Sequence, residues 1–343
     1  MTASRILFVA NFLGSAGLNR AYSEELSDRL EARGWGIVRT SRRRNRAARI
    51  VDMLHVAWRE RHAYDIAHVD VFSGPSFVWA EAVCAELALL GKRYVLTLRG
   101  GRLPEFAARW RGRVGRLLRS AARVTVPSGF LLETMRAYRG DLELRPNAVD
   151  TSRYAFRLRE QPRARMAWVR ALHSIYNPTL AIDVLAQVSA RHPDARLTML
   201  GPDKDGSKQR VIDHATKLGV LDQVELVGGK PNSEVPRYLA DADIFLNTTN
   251  VDNTPVSVLE AMAAGTCVVS TSVGGIPYLL KDRHDALLVK PRDPDAMTAA
   301  VESLLAVPGL GARLSTAARE VARAYDWNPT VAEWETTFRE VLP

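Results

Sequence analysis

Short apolar runs alternate with helix-length segments along the chain. In the N-terminal part, the runs predicted to be buried strands are Ile6–Ala10, Gly36–Thr40, Ile66–Val71, Tyr94–Leu98, Val124–Pro127 and Leu142–Arg145. The segments between them, such as Leu18–Arg33 and Phe77–Leu90, carry apolar residues at helical spacing. Strands that alternate with helices predict βαβ units, and therefore a parallel sheet covered by helices on both faces.

A second series of the same kind follows a turn-like break at 146–150 and a polar, irregular linker at 151–163. Its predicted strands are Met166–Arg170, Arg196–Gly201, Val224–Gly228, Ile244–Thr248, Cys267–Thr271 and Ala286–Lys290. Its predicted helices are Pro178–Arg191, Lys208–Leu218, Ser233–Leu239, Val256–Ala264, Pro294–Ala306, Gly311–Tyr325 and Pro329–Val341.

The pattern predicts an α/β chain of two Rossmann-like, doubly wound domains. The first comprises residues 1–150, and the second begins at residue 151. We expect the carboxyl ends of the two parallel sheets to face an interdomain cleft, because open α/β folds bind their ligands at such ends.

Composition agrees with folded domains, and the charge is uneven. The chain has 343 residues, of which 47% are hydrophobic and 25% charged. Residues 1–150 hold 25 Lys and Arg against 15 Asp and Glu, a net charge of +10. The remaining 193 residues hold 22 against 23, a net charge of −1. This asymmetry points to an anionic partner for the first domain.

Neither a targeting segment nor a disulfide framework is visible in the sequence. The apolar run near the N-terminus is too short to span a membrane and lacks the flanks of a signal peptide. Two cysteines, Cys84 and Cys267, are too few for a disulfide framework or a zinc cluster. We therefore expect a cytoplasmic protein.

The stretch 247–265 has the strongest chemical signal. Thr254 suits the N-cap of the following helix, and Pro255 suits its first position. The free amide groups and positive dipole at such a helix start attract an anion, for which a phosphate group is the obvious candidate. Asp252 and Glu260 flank that start and could hold hydroxyl groups on both sides of a diphosphate. The alternative is a capped helix whose glutamate faces solvent.

This stretch resembles the donor-binding signature of retaining glycosyltransferases with the GT-B fold, of the family 4 type in the glycosyl transferases of group 1. The run Glu260–Gly265 matches the second half of the signature, and Val273–Pro277 matches its Gly-Gly turn. Pro146–Asp150 is similar to the family's Pro-Asn-Gly-Val-Asp at the domain boundary. Trp327 and the last helix resemble the family's C-terminal helix that returns to the first domain. The resemblance therefore implies that helix 327–343 belongs to the first domain and that the second comprises residues 151–326.

The resemblance implies a hexosyltransferase that uses a nucleoside-diphosphate sugar and needs neither a metal nor another cofactor. It implies that Glu260 binds the ribose, that Asp252 orients the sugar, and that Arg170 neutralises the diphosphate. The further donor-binding residues that it implies are Asn253, Thr254, Pro255, Val256, Ser257, Gly201, Tyr176 and His173.

The sequence departs from the family pattern at three positions. Asp252 stands where the family has a longer glutamate, and the lysine that the family has shortly after its arginine is absent after Arg170. His173 or Tyr176 could fill that space, or both could be packing residues. Arg99 replaces a histidine that contacts the sugar or its phosphate; arginine cannot act as a base but can stabilise an anionic oxygen. A surface ion pair is the alternative role for Arg99.

The resemblance implies that the acceptor side lies on glycine-containing loops of the first domain. The residues that we assign to it are Gly14, Ser15, Gly17 and Gly100, because glycine permits close approach of the backbone to a ligand. The pair Asp241 and Asp243 resembles a metal-binding Asp-x-Asp, but it lies at a helix-to-strand joint, so we interpret it as structural. The histidines are scattered without ligand spacing, and no metal site is predicted.

Two arginine-rich runs, Arg42–Arg46 and Arg109–Arg119, account for much of the basic character. The second mixes arginines with Trp and Leu at helical spacing, which suits an interfacial helix on an anionic membrane. Backbone binding to nucleic acid is disfavoured because no binding module is recognisable, and a solvated helix with a core-facing stripe is the third interpretation.

The sequence therefore predicts a retaining glycosyltransferase with a carbohydrate or lipid-linked acceptor in polysaccharide or glycolipid biosynthesis. A basic first domain would place it on the inner face of a membrane. The alternatives are a nucleotide-sugar epimerase and an inactive paralogue that serves as a nucleotide-sugar-binding or scaffold subunit. The nucleotide base, the sugar and the acceptor are set by pocket shape and are not evident from the sequence.

Overall fold

The computed structural model describes residues 4–14 and 21–343. The chain divides into two compact units. Unit 1 comprises residues 1–147 and 328–343, and unit 2 comprises residues 148–327.

Unit 1 contains a six-stranded sheet in which every paired strand is parallel. Its strands are β1 (Arg5–Val9), β2 (Gly36–Thr40), β3 (Ile66–Val71), β4 (Arg93–Leu98), β5 (Arg123–Val126) and β6 (Glu143–Leu144), in the order β2-β1-β3-β4-β5-β6. Its helices are α1 (Tyr22–Ala32), α2 (Arg46–Arg59), α3 (Phe77–Leu89), α4 (Leu103–Arg109), α5 (Arg111–Ser120), α6 (Gly129–Met135) and most of α14 (Trp327–Val341).

Alternate side chains of the central strands serve the two faces of this sheet, as a period of two requires. Leu7 and Val69 point into the main core, which is completed by buried residues of α2, α3, α5 and α6. Phe8 and His68 point the other way, where the rings of Trp334 and Phe338 on α14 pack against them. The central strands β1, β3 and β4 are buried on both faces of the sheet, which explains their continuous apolar runs.

Unit 2 repeats this architecture with a second parallel sheet of six strands. Its strands are β7 (Arg165–Val169), β8 (Arg196–Leu200), β9 (Val224–Gly228), β10 (Ile244–Asn247), β11 (Cys267–Thr271) and β12 (Leu287–Val289), in the order β12-β11-β10-β7-β8-β9. Its helices are α7 (Pro178–Ser189), α8 (Ser207–Lys217), α9 (Val235–Asp241), α10 (Val256–Ala264), α11 (Ile276–Leu279), α12 (Pro294–Ala306) and α13 (Leu310–Ala324). Buried residues of α7, α8 and α12 form the core on one face, and those of α9, α10 and α13 form the core on the other.

The segment that leads into β7 is fastened to unit 2 by arginines that converge on Asp243. This carboxylate is almost fully buried and pairs with Arg157 at 2.6 Å and with Arg163 at 3.4 Å. The buried guanidinium of Arg159 lies 3.7 Å from it and donates to the carbonyl oxygens of Leu239, Ala242 and Ala264. Asp243 therefore has the structural role that its place at a helix-to-strand joint predicted.

All twelve predicted strands are present, and the predicted α/β fold class with two parallel sheets is confirmed. Helix α2 was not among the helices named from the sequence. It begins after Asn45, whose side chain accepts hydrogen bonds from the amides of Ala47 and Ala48. Met53 and Ala57 on its inner face are buried. The preceding arginine run therefore leads directly into a helix.

Candidate functional site

Arg170 and the loop that begins at Thr248 lie at the ends of neighbouring central strands. Arg170 follows β7 directly, and the loop follows β10, which pairs with β7 in parallel. The chain leaves β7 towards β8 and β9 and later crosses to the other side of β7 to form β10. The strand order thus reverses between β7 and β10, and the carboxyl ends at such a reversal are where open α/β sheets bind ligands.

Asp252 in this loop forms an ion pair with Arg170. Nη2 of Arg170 donates to Oδ2 of Asp252 at 2.8 Å, and the Asn253 amide donates to Oδ1 at 2.8 Å. Burial raises the pKa of the Asp252 carboxyl, which the Arg170 charge opposes. Burial acts to lower the pKa of Arg170, but Asp252 and Tyr176 together outweigh it and the pKa is raised. Arg170 is therefore a permanent cation that the loop holds in place.

The ring of Tyr176 packs against the guanidinium group of Arg170. The guanidinium carbon lies 4.5 Å from the centre of the Tyr176 ring, which is a cation–π contact. The Tyr176 carbonyl accepts a hydrogen bond from Thr248 Oγ1 at 2.7 Å, so the turn that carries Tyr176 is tied to the end of β10. His173 caps this turn, because its Nδ1 accepts from the Ile175 amide at 3.0 Å. Of the two residues that could replace the family's lysine, Tyr176 lies against the arginine.

Gly201, at the end of β8, is required by close packing against Arg170. A Cβ at this position would lie 1.7 Å from the Arg170 carbonyl oxygen, a distance that no side chain tolerates. The same backbone is fixed by a hydrogen bond of 3.0 Å from the Arg170 amide to the Leu200 carbonyl. Gly201 thus sets the path of the chain just where Arg170 leaves the sheet.

The Gly274–Gly275 turn supports the loop of Asp252 in the same manner. A Cβ on Gly275 would lie 1.8 Å from the Asn253 carbonyl oxygen, and a Cβ on Gly274 would lie 2.1 Å from that of Asp252. The Gly275 amide donates to the Asp252 carbonyl at 3.1 Å. The two backbones are in direct contact, so this turn fixes the loop after β10.

The start of α10 differs from the prediction. The helix begins at Val256, and Pro255 before it has extended backbone angles (φ −71°, ψ 116°). Thr254 is therefore not the N-cap, and Pro255 is not the first helical residue. The reason lies in the loop before Pro255, whose backbone the Gly275 hydrogen bond and the Asp252–Asn253 contact fix.

The first turn of α10 also contains a buried hydroxyl group. Among the residues that the structure describes, Ser257 Oγ is buried without a hydrogen-bond partner. Asn253, Thr254 and Pro255 in front of it are buried as well. Amide groups of a first helical turn have no partner within the helix. The turn therefore combines donors that are suited to an anion.

Glu260 lies one turn further along α10 and is half-buried. Its Oε1 accepts a hydrogen bond of 2.8 Å from the hydroxyl of Tyr154. Tyr154 is itself buried and lies in the segment between β6 and β7. The solvated glutamate that the alternative interpretation required is thus excluded, since the carboxylate is held by a specific partner.

Arg99 is placed in unit 1, directly after β4. Its side chain is only 10% exposed and pairs with Asp70 at 3.1 Å. Nη1 donates to Asn147 Oδ1 at 2.9 Å, and the guanidinium lies over the Tyr22 ring at 4.5 Å. Among the described residues Nη2 is buried without a partner. Arg99 is therefore not in the surface ion pair considered as the alternative, because its pairing is buried.

The glycine loops of unit 1 are described in part. The Gly14 amide donates to Glu24 Oε1 at 3.0 Å, which connects the end of the first loop to α1. Gly100 follows Arg99 with φ of +93°. Ser15 and Gly17 lie outside the described residues. The acceptor-side role of all four stays a prediction.

Neither a metal cluster nor a membrane span is found in the described ranges. Within residues 4–14 and 21–343, no three His, Cys, Asp or Glu side chains group as metal ligands would. In the same ranges, no helix combines the length and the apolar character that crossing a bilayer requires.

Two partners of the candidate residues were missed from the sequence. Asp70 binds Arg99 and also accepts from Ser23 Oγ at 2.6 Å. The sequence does contain a signal for Asp70, because a carboxylate inside the apolar run Ile66–Val71 needs a buried partner. Tyr154, which binds Glu260, had no such signal, since a single tyrosine in an irregular segment has many possible roles.

Part of the chain matches a family of known proteins. Residues 155–321 match the model of the family described as Glycosyl transferases group 1. A component of the phosphatidylinositol N-acetylglucosaminyltransferase of Arabidopsis thaliana is 31% identical over 165 residues, which cover 47% of this chain and 36% of the relative. A D-inositol 3-phosphate glycosyltransferase of Segniliparus rotundus is 26% identical over 264 residues, which cover 72% of this chain and 58% of the relative. The matches thus span less than two thirds of these relatives' lengths.

Solved structures match the fold over nearly the whole chain. The sucrose-phosphate synthase of Thermosynechococcus elongatus has a TM-score of 0.81 at 18% identity and covers 98% of this chain and 99% of its own. HepE of Anabaena, in complex with UDP and glucose, has a TM-score of 0.76 at 16% identity. The match covers 98% of this chain and 100% of the HepE chain. The chain therefore has the GT-B fold, and residues 155–321 within it match the glycosyl transferases of group 1.

Proposed function

We propose that this protein is a retaining glycosyltransferase of the family 4 type, which moves a hexosyl group from a nucleoside-diphosphate sugar to an acceptor hydroxyl. One observation carries the proposal. A fixed cation, Arg170, and a buried carboxylate, Asp252, stand together where the strand order of unit 2 reverses. The family match over residues 155–321 adds to it.

The first task of the site is to stabilise the leaving diphosphate. Arg170 offers a permanent charge, and a guanidinium can contact two phosphate oxygens at once. The amide groups and the Ser257 hydroxyl at the start of α10 face the same developing charge in this proposal. Such preorganised donors supply the main catalytic term when a charged group departs, so the proposal needs no metal ion or other cofactor.

The carboxylates act on the rest of the donor. Glu260, oriented by Tyr154, binds the ribose hydroxyls, and Asp252 orients the transferred sugar. The acceptor oxygen bonds to the anomeric carbon on the face from which the diphosphate leaves, so the configuration of the sugar is retained. The bond between that carbon and the diphosphate breaks, and the hydroxyl proton passes to the departing diphosphate oxygen. Arg99 in unit 1 completes the set of proposed catalytic residues by stabilising anionic oxygen.

The acceptor is proposed to be a carbohydrate or a lipid-linked molecule in polysaccharide or glycolipid synthesis. Unit 1 carries the glycine loops and the net positive charge, so we assign the acceptor and an anionic membrane surface to it. We do not include nucleic acid among its partners. The Arabidopsis relative is named for phosphatidylinositol, a lipid, which supports this choice.

The test begins with a panel of nucleoside-diphosphate sugars, in which thermal stabilisation and release of the nucleoside diphosphate are measured. Glu260→Ala is expected to abolish release with the fold intact, whereas Glu234→Ala, a change of a half-buried ion-paired glutamate in the same unit, leaves it unchanged. Full activity of Glu260→Ala would contradict the proposal.

The same panel separates the rival functions. Stabilisation by one nucleoside diphosphate without any release indicates an inactive binding protein, and a new nucleotide sugar formed without an acceptor indicates an epimerase. Activity that survives EDTA and a product with the anomeric configuration of the donor are expected from the proposed mechanism.

A further inference from the structure

Helix α3 is apolar on its outer side as well as on its inner side. Its sequence is FVWAEAVCAELAL, and its inner residues, such as Val83 and Leu87, are fully buried. On the outer side, Val78 is 47% exposed and Leu89 is 88% exposed. Apart from Glu81 and Glu86, every residue of α3 is apolar. A helix of this composition is ordinarily buried on most sides, so the outer side of α3 lacks the cover that its composition calls for.

The outer residues form one continuous stripe. Val78, Ala82, Ala85 and Leu89 follow one another at intervals of four, three and four, which places them on the same side of the helix. All four are exposed or half-buried. The stripe runs the whole length of α3 and contains no charged side chain.

Two arginine-rich helices flank this stripe. Helix α3 packs against α2 on one side and α5 on the other, and all three cover the same face of the sheet. Helix α2 contains three arginines and one acidic residue, and α5 contains four arginines and no acidic residue. Arg113 of α5 pairs with Glu81 of α3, with Nε to Oε1 at 2.6 Å, so the flanks are in direct contact with the central helix.

An exposed tryptophan stands on each flank. Trp58 on α2 is 55% exposed, and Trp110 at the start of α5 is 52% exposed. Arginines lie against both rings: Arg61 over Trp58 at 4.8 Å and Arg113 near Trp110 at 5.9 Å. Tryptophan and arginine together suit the boundary between apolar chains and anionic headgroups, because each has an apolar body and a polar end.

We propose that this surface, which we call the α3 face (Val78, Ala82, Ala85 and Leu89 with Trp58 and Trp110), docks on an anionic lipid bilayer. The apolar stripe enters the outermost acyl region, the two tryptophans lie at the headgroups, and the flanking arginines bind the anionic lipids. Charge complementarity selects this occupant, since both flanks are strongly basic. The inference deepens the membrane part of the proposed function and rests on it.

The test is sedimentation of the full chain with vesicles of phosphatidylcholine alone and of equimolar phosphatidylcholine and phosphatidylglycerol. We expect binding to the second kind only, and weaker binding at higher salt. The pair Arg111→Gln and Arg116→Gln, both exposed in α5, is expected to weaken binding roughly tenfold or more. Leu89→Ser is expected to weaken it severalfold while the dependence on salt remains.

Matched controls lie in unit 2. The pair Arg191→Gln and Arg313→Gln and the single change Leu218→Ser alter exposed residues of the same types and should leave binding unchanged. Equal thermal stability of all variants excludes unfolding as the cause.

Three results would overturn the proposal. These are no binding to the anionic vesicles, binding that neither the Arg111 and Arg116 pair nor Leu89→Ser reduces, and a dimer in light scattering that Leu89→Ser dissociates. Donor-dependent nucleotide release is measured without vesicles and reports on the proposed function alone, so failure of either idea is visible separately.

Discussion

Arg170 and Asp252 are 82 residues apart in sequence, yet their side chains meet at 2.8 Å across the ends of two neighbouring strands. The Asp252 carboxylate already accepts a hydrogen bond from the guanidinium group that we assign to the donor's diphosphate. A donor that binds must therefore share or displace this contact, so the ion pair and the ligand compete for the same N–H groups.

Asp252→Asn tests this competition. Removing the negative charge frees Arg170 for a diphosphate, so a nucleoside diphosphate should bind roughly tenfold more tightly in calorimetry, while sugar transfer falls. Asp183→Asn, which changes an aspartate paired with a histidine elsewhere in unit 2, serves as the control. Weaker binding by Asp252→Asn would mean that the pair preorganises the site rather than competing with the ligand.

Tyr154→Phe tests the orientation of Glu260. The change removes one hydrogen bond to a charged group, and such bonds contribute about 1.5–3 kcal/mol. We expect the KM for the donor to rise about tenfold with kcat little changed, because the ribose is remote from the reacting carbon. Tyr238→Phe, in the same unit, should leave both constants unchanged. A fall of kcat alone would place Glu260 nearer to the chemistry.

Gly275→Ala tests the support of the loop after β10. The new Cβ would meet the Asn253 carbonyl oxygen at 1.8 Å, so the loop that carries Asp252 must move. Donor-induced thermal stabilisation should disappear, and the melting temperature of the free protein should fall. Gly140→Ala, where nothing lies within 4 Å of the new atom, is the control. Normal donor binding by Gly275→Ala would show that loop position is not critical.

The buried side chain of His68 should make the free energy of unfolding depend on pH. Burial lowers its pKa to about 4 from the ordinary 6.5, so the folded protein keeps it neutral while the unfolded chain takes up a proton. The free energy of unfolding is therefore not reduced by His68 above pH 6.5. It falls, by about 3 kcal/mol at most, as the pH falls from 6.5 towards 4.

The matching experiment measures chemical denaturation between pH 7 and 4. His68→Gln, which cannot titrate, should show a shallower loss of stability than the wild type, whereas His62→Gln, at an exposed position, should follow the wild type. Identical pH profiles for His68→Gln and the wild type would exclude His68 as the cause.

Strands were predictable because a parallel sheet covered on both faces demands uninterrupted apolar runs, and those runs are visible in the sequence. The pairing of Arg170 with Asp252 was not, because it depends on β10 lying beside β7, and strand order does not follow from local pattern. The start of α10 was misplaced for a similar reason. Thr254 and Pro255 have the right local preferences, but contacts from the Gly274–Gly275 turn, some twenty residues later, fix the backbone of the loop before Pro255.

The arginines around Asp243 determine where unit 2 could be cut from the chain. A fragment that starts at residue 164 keeps all six strands of the sheet but loses Arg157, Arg159 and Arg163 together. It would leave Asp243 as a buried negative charge without a counterion, and it would leave the carbonyl groups at the ends of α9 and α10 without their donor. An independently folding fragment must therefore begin upstream of Arg157, although those residues add no strand to the sheet.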